Sequence, residues 1–316
     1  EVHELASAKR GAQLTVALER LRALAGSFQR IGLSATVGSP AEVGKFLTGD
    51  RDFEIVEVDV GSEVEFEVVH PEITREDERL AGELATDDAI ASHVRLVRDI
   101  VRDHESRFKT LGEPIEVHHG SLSKDVRIDV EERFKSGELD ALVCTSSMEL
   151  GIDVGRVDHV VQYGSPREVA RLLQRVGRAG HRRDEVSRGT LVTASPDDTL
   201  EALAIARRAT AGEVEPARIH HASLDTVANQ IVGIVMDEGE VSARRAYDLV
   251  TAAYPFADLD EETFRQVVRE VSKNRLVWLD EDRDQLEKSG GTWQYFYANL
   301  SMIPDEETYE VHDISS

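Results

Sequence analysis

Apolar residues along this chain recur at helical spacing in some stretches and alternate with polar ones in others. Leu14, Leu18, Leu21 and Leu24 stand about one turn apart, so 12–25 is predicted to be a helix ended by Gly26. Pro40 sits at the start of the next, 41–47. Ile90, Val94, Val97, Ile100 and Val101 place a third over 87–104. Residues 29–36 read as a short strand entering a loop, and 55–69 as two extended segments around Gly61-Ser62. From Ile115 the alternation is regular: strand 115–118, helix 123–135 capped by Ser123 and ended near Gly137, strand 141–145, strand 159–163, helix 166–176, strand 190–194. That pattern implies a parallel sheet with helices on both faces, whose ligands bind at the carboxyl ends of its strands. After Pro196 the texture is helical, over 200–210, 223–236, 242–252 and 261–272. Segments 276–279 and 292–297 then read as strands joined by a charged hairpin.

The chemistry-bearing residues gather at the ends of these elements. Gln174-Arg175-Val176-Gly177-Arg178-Ala179-Gly180-His181 closes the helix over 166–176. An arginine fork matches phosphate oxygens, and glycine lets a backbone approach another surface closely. A solvated basic helix end, favoured by the helix dipole, is the plainer alternative. Ser34-Ala35-Thr36 follows the first predicted strand. His118-His119-Gly120-Ser121 ends an apolar run, and Thr145-Ser146-Ser147-Met148-Glu149-Leu150-Gly151-Ile152-Asp153 follows the apolar strand residues 141–144. Gly120 and Ser121 open a helix, where exposed N–H groups and the dipole favour a phosphate. His118 and His119 do not make a metal site: neighbours on a strand face opposite ways, and no cysteine or third histidine lies near in sequence.

Taken in this order, the segments resemble the Lhr (large helicase-related) family of superfamily 2 DNA helicases. The signatures are HHGSLS, TSSMELGIDVG and QRVGRAGH, and Glu1-Val2-His3-Glu4 resembles a box that has lost its leading Asp. The resemblance implies an α/β fold, a RecA-like parallel sheet with helices on both faces followed by a mostly helical winged-helix domain. It divides the chain into the tail of a first motor domain (1–50), a second motor domain (51–195), a winged helix (196–298) and the start of a β-rich domain (299–316). The helix–turn–helix would use 242–252 and 261–272. ATP and Mg²⁺ are the implied cofactors, and single-stranded DNA the implied partner.

The resemblance also implies residue roles. Glu1 orients the attacking water, and the Mg²⁺ ligand is an Asp expected just before it. His3 couples the nucleotide state to other motifs, and Ser34 and Thr36 couple the two motor domains. Gly120, Ser121, Thr145 and Ser146 hold the strand backbone. Gly151 allows close approach to the nucleotide, Asp153 contacts its ribose, and Gln174 links motifs. Arg175 and Arg178 reach the γ-phosphate, Arg178 as the finger. The Walker A lysine is not in this sequence, so these residues alone are not expected to hydrolyse ATP. The chain starts without Met inside a motif and reads as a fragment. A family strand with a Phe-x-Asn-Thr-Arg-like motif should precede Ile115, yet only 105–114 is available. A strand plus crossover does not fit there, so residues are expected to be missing near 104–107.

Composition adjusts this picture. The 316 residues suffice for two or three domains, and the net charge is −24, from 61 Asp and Glu against 37 Lys and Arg. That balance is wrong for a simple nucleic-acid binder. Lysine is confined to Lys9, Lys45, Lys109, Lys124, Lys135, Lys273 and Lys288. An acidic, lysine-poor surface fits a protein working in concentrated salt, as in halophilic archaea. Arg182, Arg183 and Arg188 read equally well as phosphate contacts or solvated charges. Trp278 and Trp293 read as core of the wing, and Cys144 as a buried structural thiol in a reducing compartment. No apolar run approaches membrane length and no signal peptide is visible, so the chain is expected in the cytoplasm. Two other readings stay open: an RNA or RNA–DNA unwinder of the same superfamily, and a non-catalytic winged-helix DNA-binding module.

Overall fold

A computed structural model describes residues 2–57, 64–103, 115–118, 122–139, 141–145, 157–177 and 186–300, with backbone alone for 101–103. The chain opens with α1 (Val2–Ala6), α2 (Lys9–Ala25) and α3 (Pro40–Thr48). An alternating stretch follows: β1 (Val64–Val69), α4 (Arg75–Leu84), α5 (Asp88–Asp103), β2 (Ile115–His118), α6 (Lys124–Lys135), β3 (Ala141–Cys144), β4 (Val160–Tyr163), α7 (Val169–Val176), β5 (Ser187–Val192) and α8 (Pro196–Thr210). The last stretch holds α9 (Leu224–Glu238), β6 (Glu240–Ser242), α10 (Ala243–Thr251), α11 (Glu261–Lys273), β7 (Val277–Asp280), β8 (Gln285–Lys288) and α12 (Thr292–Ala298). The chain divides into two compact units, one of residues 35–38 and 57–216, the other of 1–34, 39–56 and 217–316. Among the described residues no helix is long and apolar enough to cross a membrane.

In the α/β unit, β5 lies between β1 and β4, parallel to both, with Phe66 opposite Gly189 and Val161 opposite Thr190. β2 and β3 form a second parallel pair, Ile115 opposite Ala141. Val169, Leu172 and Val176 of α7 pack with Leu191 of β5 and with Ala202, Ile205 and Ala209 of α8. The helix meets the strand closely: a Cβ on Gly189 would stand 2.6 Å from Val176 Cγ2. The sequence assigned residues from 196 onward to the winged helix. The structure corrects that boundary, because the apolar face of α8 is buried in this unit. A second correction concerns Cys144, which is exposed along with Val143, its neighbour on β3. Only β2 is paired with that strand among the described residues.

Helix α4 has a short apolar stripe, Leu80, Ala81 and Leu84, confined to its second half, of which Ala81 is buried. A capping box starts it, with Thr74 N–H and Oγ1 both donating to Asp77 Oδ2 at 2.7 Å. Arg95 Nε of α5 donates to Asp77 Oδ1 at 2.7 Å, and Arg95 Nη2 to the Glu72 carbonyl. The Arg95 bond, helped by Thr74 against the opposing effect of burial, holds the Asp77 carboxyl at about 2. A carboxyl depressed in the folded state adds stability above its unfolded value and loses it as pH falls through the folded one. Stability is therefore expected to drop between about pH 4 and pH 2. Asp77→Asn should lower the melting temperature at neutral pH and flatten that acid limb; thermal melts across the range check both.

The other unit carries the winged-helix order, helix α9, strand β6, helices α10 and α11, then hairpin β7–β8, with β8 between β6 and β7 in an antiparallel sheet. Ile231, Val235, Val250, Phe256, Phe264, Val268 and Leu286 belong to its core. The wing is thus 277–280 with 285–288, and 292–297, read from sequence as a strand, lies in α12. Trp278 and Trp293 are 65% and 53% exposed rather than core, with Trp293 stacked on Tyr297 across 5.4 Å. Helix α2 joins this core through Ala12 and Val16. It runs parallel to α9, pairing Lys9 with Asp225, Gln13 with Asn229 at 3.2 Å, and Arg20 with Asp237 at 2.7 Å. Its buried stripe is Gly11, Ala12, Thr15, Val16 and Glu19, whereas Leu14, Leu21 and Leu24 are exposed. The expected strand over 29–36 is irregular chain with Ile31 and Leu33 exposed. A strand requires a partner, and none is paired with it among the described residues.

Candidate functional site

Helix α7 presents the first of the two arginines. Val169, Leu172 and Val176 hold one face of it in the core, which leaves Gln174 and Arg175 half-buried on another. Arg175 Nη1 donates to Gln162 Oε1 at 2.7 Å, near the carboxyl end of β4. The Gln162 amide nitrogen in turn donates to the carbonyls of Tyr163, at 2.9 Å, and Gly164, at 3.1 Å. A buried amide with both ends engaged has one orientation, so the guanidinium fork is held on a fixed point. A cation so placed at strand ends is suited to an anionic ligand.

The helix N-terminus is fixed from elsewhere in the chain. Its own N-cap residue, Glu168, makes no side-chain cap bond. Instead the Val169 N–H donates to both carboxylate oxygens of Glu215 at 3.0 Å, and the Ala170 N–H donates to Oε2 at 3.2 Å. Arg208 stands 3.6 Å from the same carboxylate. Burial pushes the Glu215 carboxyl up, but the N–H bonds and Arg208 outweigh it, and the net displacement is downward. Neither Gln162 nor Glu215 belongs to a motif visible in the sequence; a three-dimensional neighbour was needed to find them.

Thr145 follows β3, is exposed, and its N–H donates to the His118 carbonyl at 3.3 Å. His118 is fully buried, its Nε2 3.0 Å from Glu131 Oε1, which places it in packing rather than at a surface. In the other unit His3 and Ser34 meet, Nδ1 to Oγ 2.9 Å, and the Val2 N–H donates to the Leu33 carbonyl. The division between the units falls inside Ser34-Ala35-Thr36, and Thr36 is exposed. Arg188 pairs with Glu65 at 3.1 Å at the surface. Glu1, Gly120, Ser121, Ser146, Gly151, Asp153, Arg178, Arg182 and Arg183 lie outside the described residues, as do His119 and the stretch near 104–107 where residues are expected to be missing.

Comparison with known proteins gives these positions a context. A sequence family described as helicase conserved C-terminal domain matches residues 90–183. The ATP-dependent helicase Lhr-Core protein 2 of Thermococcus barophilus is 36% identical over 354 positions, covering 99% of this chain and 40% of that protein. The ATP-dependent helicase Lhr-Core of Methanocaldococcus jannaschii is 35% identical, covering 98% and 39%. Both alignments are longer than this chain, so each relative carries residues without a counterpart here. The structure of Mycobacterium smegmatis helicase Lhr bound to ssDNA and AMP-PNP superposes with a TM-score of 0.77 at 33% identity, over 100% of this chain and 44% of that one. The chain spans about two fifths of the curated relatives it matches.

Proposed function

Because the chain belongs to the Lhr family of helicases, we propose that it forms the second motor domain and winged helix, with the tail of the first motor domain, of an ATP-dependent motor that moves on single-stranded DNA. The observation that carries this reading is Arg175, locked on Gln162 at the carboxyl end of β4. A guanidinium fixed in advance at a strand end suits charge that develops on a transferring phosphoryl group, which a pure DNA-binding module does not create. The M. smegmatis relative, solved on ssDNA with AMP-PNP, supports both ligands.

In this reading Arg175 and Arg178 stabilise the charge that develops on the transferring phosphoryl group, Arg178 as the finger. Gln174 joins them to neighbouring motifs. Gly151 and Asp153 meet the nucleotide, and Gly120, Ser121, Thr145 and Ser146 meet strand phosphates. His3, already bonded to Ser34, relays the nucleotide state, Ser34 and Thr36 couple the two motor domains, and Glu1 orients water. Mg²⁺, when bound, neutralises phosphate charge; its ligand is expected just before Glu1. The test uses the longer protein: ATP hydrolysis with and without single strands, and unwinding of matched DNA and RNA duplexes. Strand-stimulated hydrolysis with preference for DNA is expected. Absence of hydrolysis would remove the motor, and equal or better unwinding of RNA would move the substrate class.

The charge of −24 adds a second expectation. Binding to phosphates ordinarily weakens steeply with salt through counterion release. A chain with this much like charge should need salt to fold and should keep its strand affinity in concentrated KCl. Melting curves and strand titrations in dilute buffer and in brine check this. Full folding in dilute buffer, with binding lost in brine, would refute it.

A further inference from the structure

Glu215 stands where two parts of the α/β unit join. Its carboxylate replaces the missing cap of α7, the helix of Gln174 and Arg175. Its backbone carbonyl accepts the N–H of Gly38 at 3.2 Å, two residues beyond Thr36. Gly38 is there because nothing larger fits: a Cβ would stand 2.2 Å from the Val214 carbonyl oxygen and 2.5 Å from that of Glu215. One residue therefore holds both the arginine helix and the chain leaving Ser34-Ala35-Thr36. From this we propose that Glu215 is a positioning residue for the nucleotide reaction, fixing α7, and with it Arg175, against the segment that follows the Ser34 motif.

The physical basis is the cap. The first N–H groups of a helix have no partners within it, and two of them in α7 are satisfied by one charged acceptor. Helix α7 is only eight residues long, so its N-terminus and the Arg175 end move together. Loss of the carboxylate frees the helix to shift along β5, and small displacements of a reacting group cost rate steeply. Substrate binding, which uses many contacts, is affected less.

The inference rests on Arg175 acting on the nucleotide, and the test separates the two. In the longer protein, wild type, Arg175→Ala, Glu215→Ala, Glu215→Gln and Gly38→Ala are compared for kcat and KM with ATP, thermal stability, and amide hydrogen exchange of Val169 and Ala170. Glu215→Ala is expected to lower kcat roughly tenfold to a hundredfold, with KM within about twofold and faster exchange at both amides. Glu215→Gln keeps an oxygen acceptor and should recover most of kcat, while Gly38→Ala should lower kcat in the same sense. If Arg175→Ala abolishes turnover and Glu215→Ala leaves kcat unchanged, the positioning role is wrong and the motor reading stands. If Glu215→Ala and Glu215→Gln lose kcat and stability alike, the residue only supports the fold and the proposal fails. If Arg175→Ala turns over normally, the motor assignment of Arg175 fails first, and unchanged amide exchange in Glu215→Ala would overturn the cap independently of any turnover.

Discussion

Arg178→Ala in the longer protein is expected to lower ATP turnover about a thousandfold or more while leaving single-strand affinity nearly intact. Arg175→Ala should be similar and also weaken nucleotide binding. Negative charge builds on the phosphoryl group as it transfers, and a guanidinium fixed in advance stabilises it without reorganising. Arg175 has the required fixity, because Gln162 is pinned between its own bonds to Tyr163 and Gly164. Arg178 is three residues further on in the sequence, next to Gly177, which ends α7. Strand phosphates are met by other residues in the proposed scheme, so affinity for the strand should not follow turnover. The assay is strand-stimulated ATP hydrolysis beside a strand titration for each variant. Normal turnover with weakened strand binding would place these arginines on the nucleic acid.

Elements with a marked pattern were legible from sequence. The spacing of Ile90, Val94 and Val97 marked helix α5, although Ile90 and Val94 are exposed and Ala91 and His93 are buried instead, and β2, β3 and β4 fall within a residue of their expected bounds. The places that escaped share a cause. Helix α4 opens on a charged run, Arg-Glu-Asp-Glu-Arg, with apolar spacing only at Leu80, Ala81 and Leu84, and is fixed by Thr74 and Asp77 at its start and Arg95 across from it. Segment 292–297 is rich in aromatics, which favour strands in isolation, but Thr292 Oγ1 donates to the Leu276 carbonyl and Tyr295 packs on the winged-helix core, so it closes as a helix. The spacing of the leucines in α2 predicted the helix but not its buried face, which is made of small residues packed on the core around α9.

Motif order was likewise visible, since each motif is a run of consecutive residues. The supports of the motifs were not. Gln162 and Glu215 lie 13 and 46 residues from the groups they hold, and no spacing rule connects them. Folding alone makes them neighbours. The same holds for Glu19, a charged residue within a run of leucines that gave no sign of being buried.

Glu19→Gln is expected to destabilise the winged-helix unit by about 3–5 kcal/mol. Glu19 is 3% exposed. Arg30 Nη1 donates to its Oε1 at 2.8 Å, and Arg51 engages both of its oxygens, Nη1 to Oε1 at 2.9 Å. Arg30 also donates to the carbonyls of Leu47, at 3.0 Å, and Leu18, at 3.2 Å. One carboxylate thus gathers α2, the approach to Ser34 and the end of α3. Removing its charge leaves Arg30, 7% exposed in its side chain, and the partly buried Arg51 without their counter-ion, which costs far more than losing an exposed pair. Arg22, 3.7 Å away and 44% exposed in its side chain, supplies the comparison. Arg22→Gln should change stability by less than about 1 kcal/mol. Urea unfolding of both variants decides the matter. A loss for Glu19→Gln as small as that for Arg22→Gln would mean that water reaches the cluster and that the approach to Ser34 is held by something else.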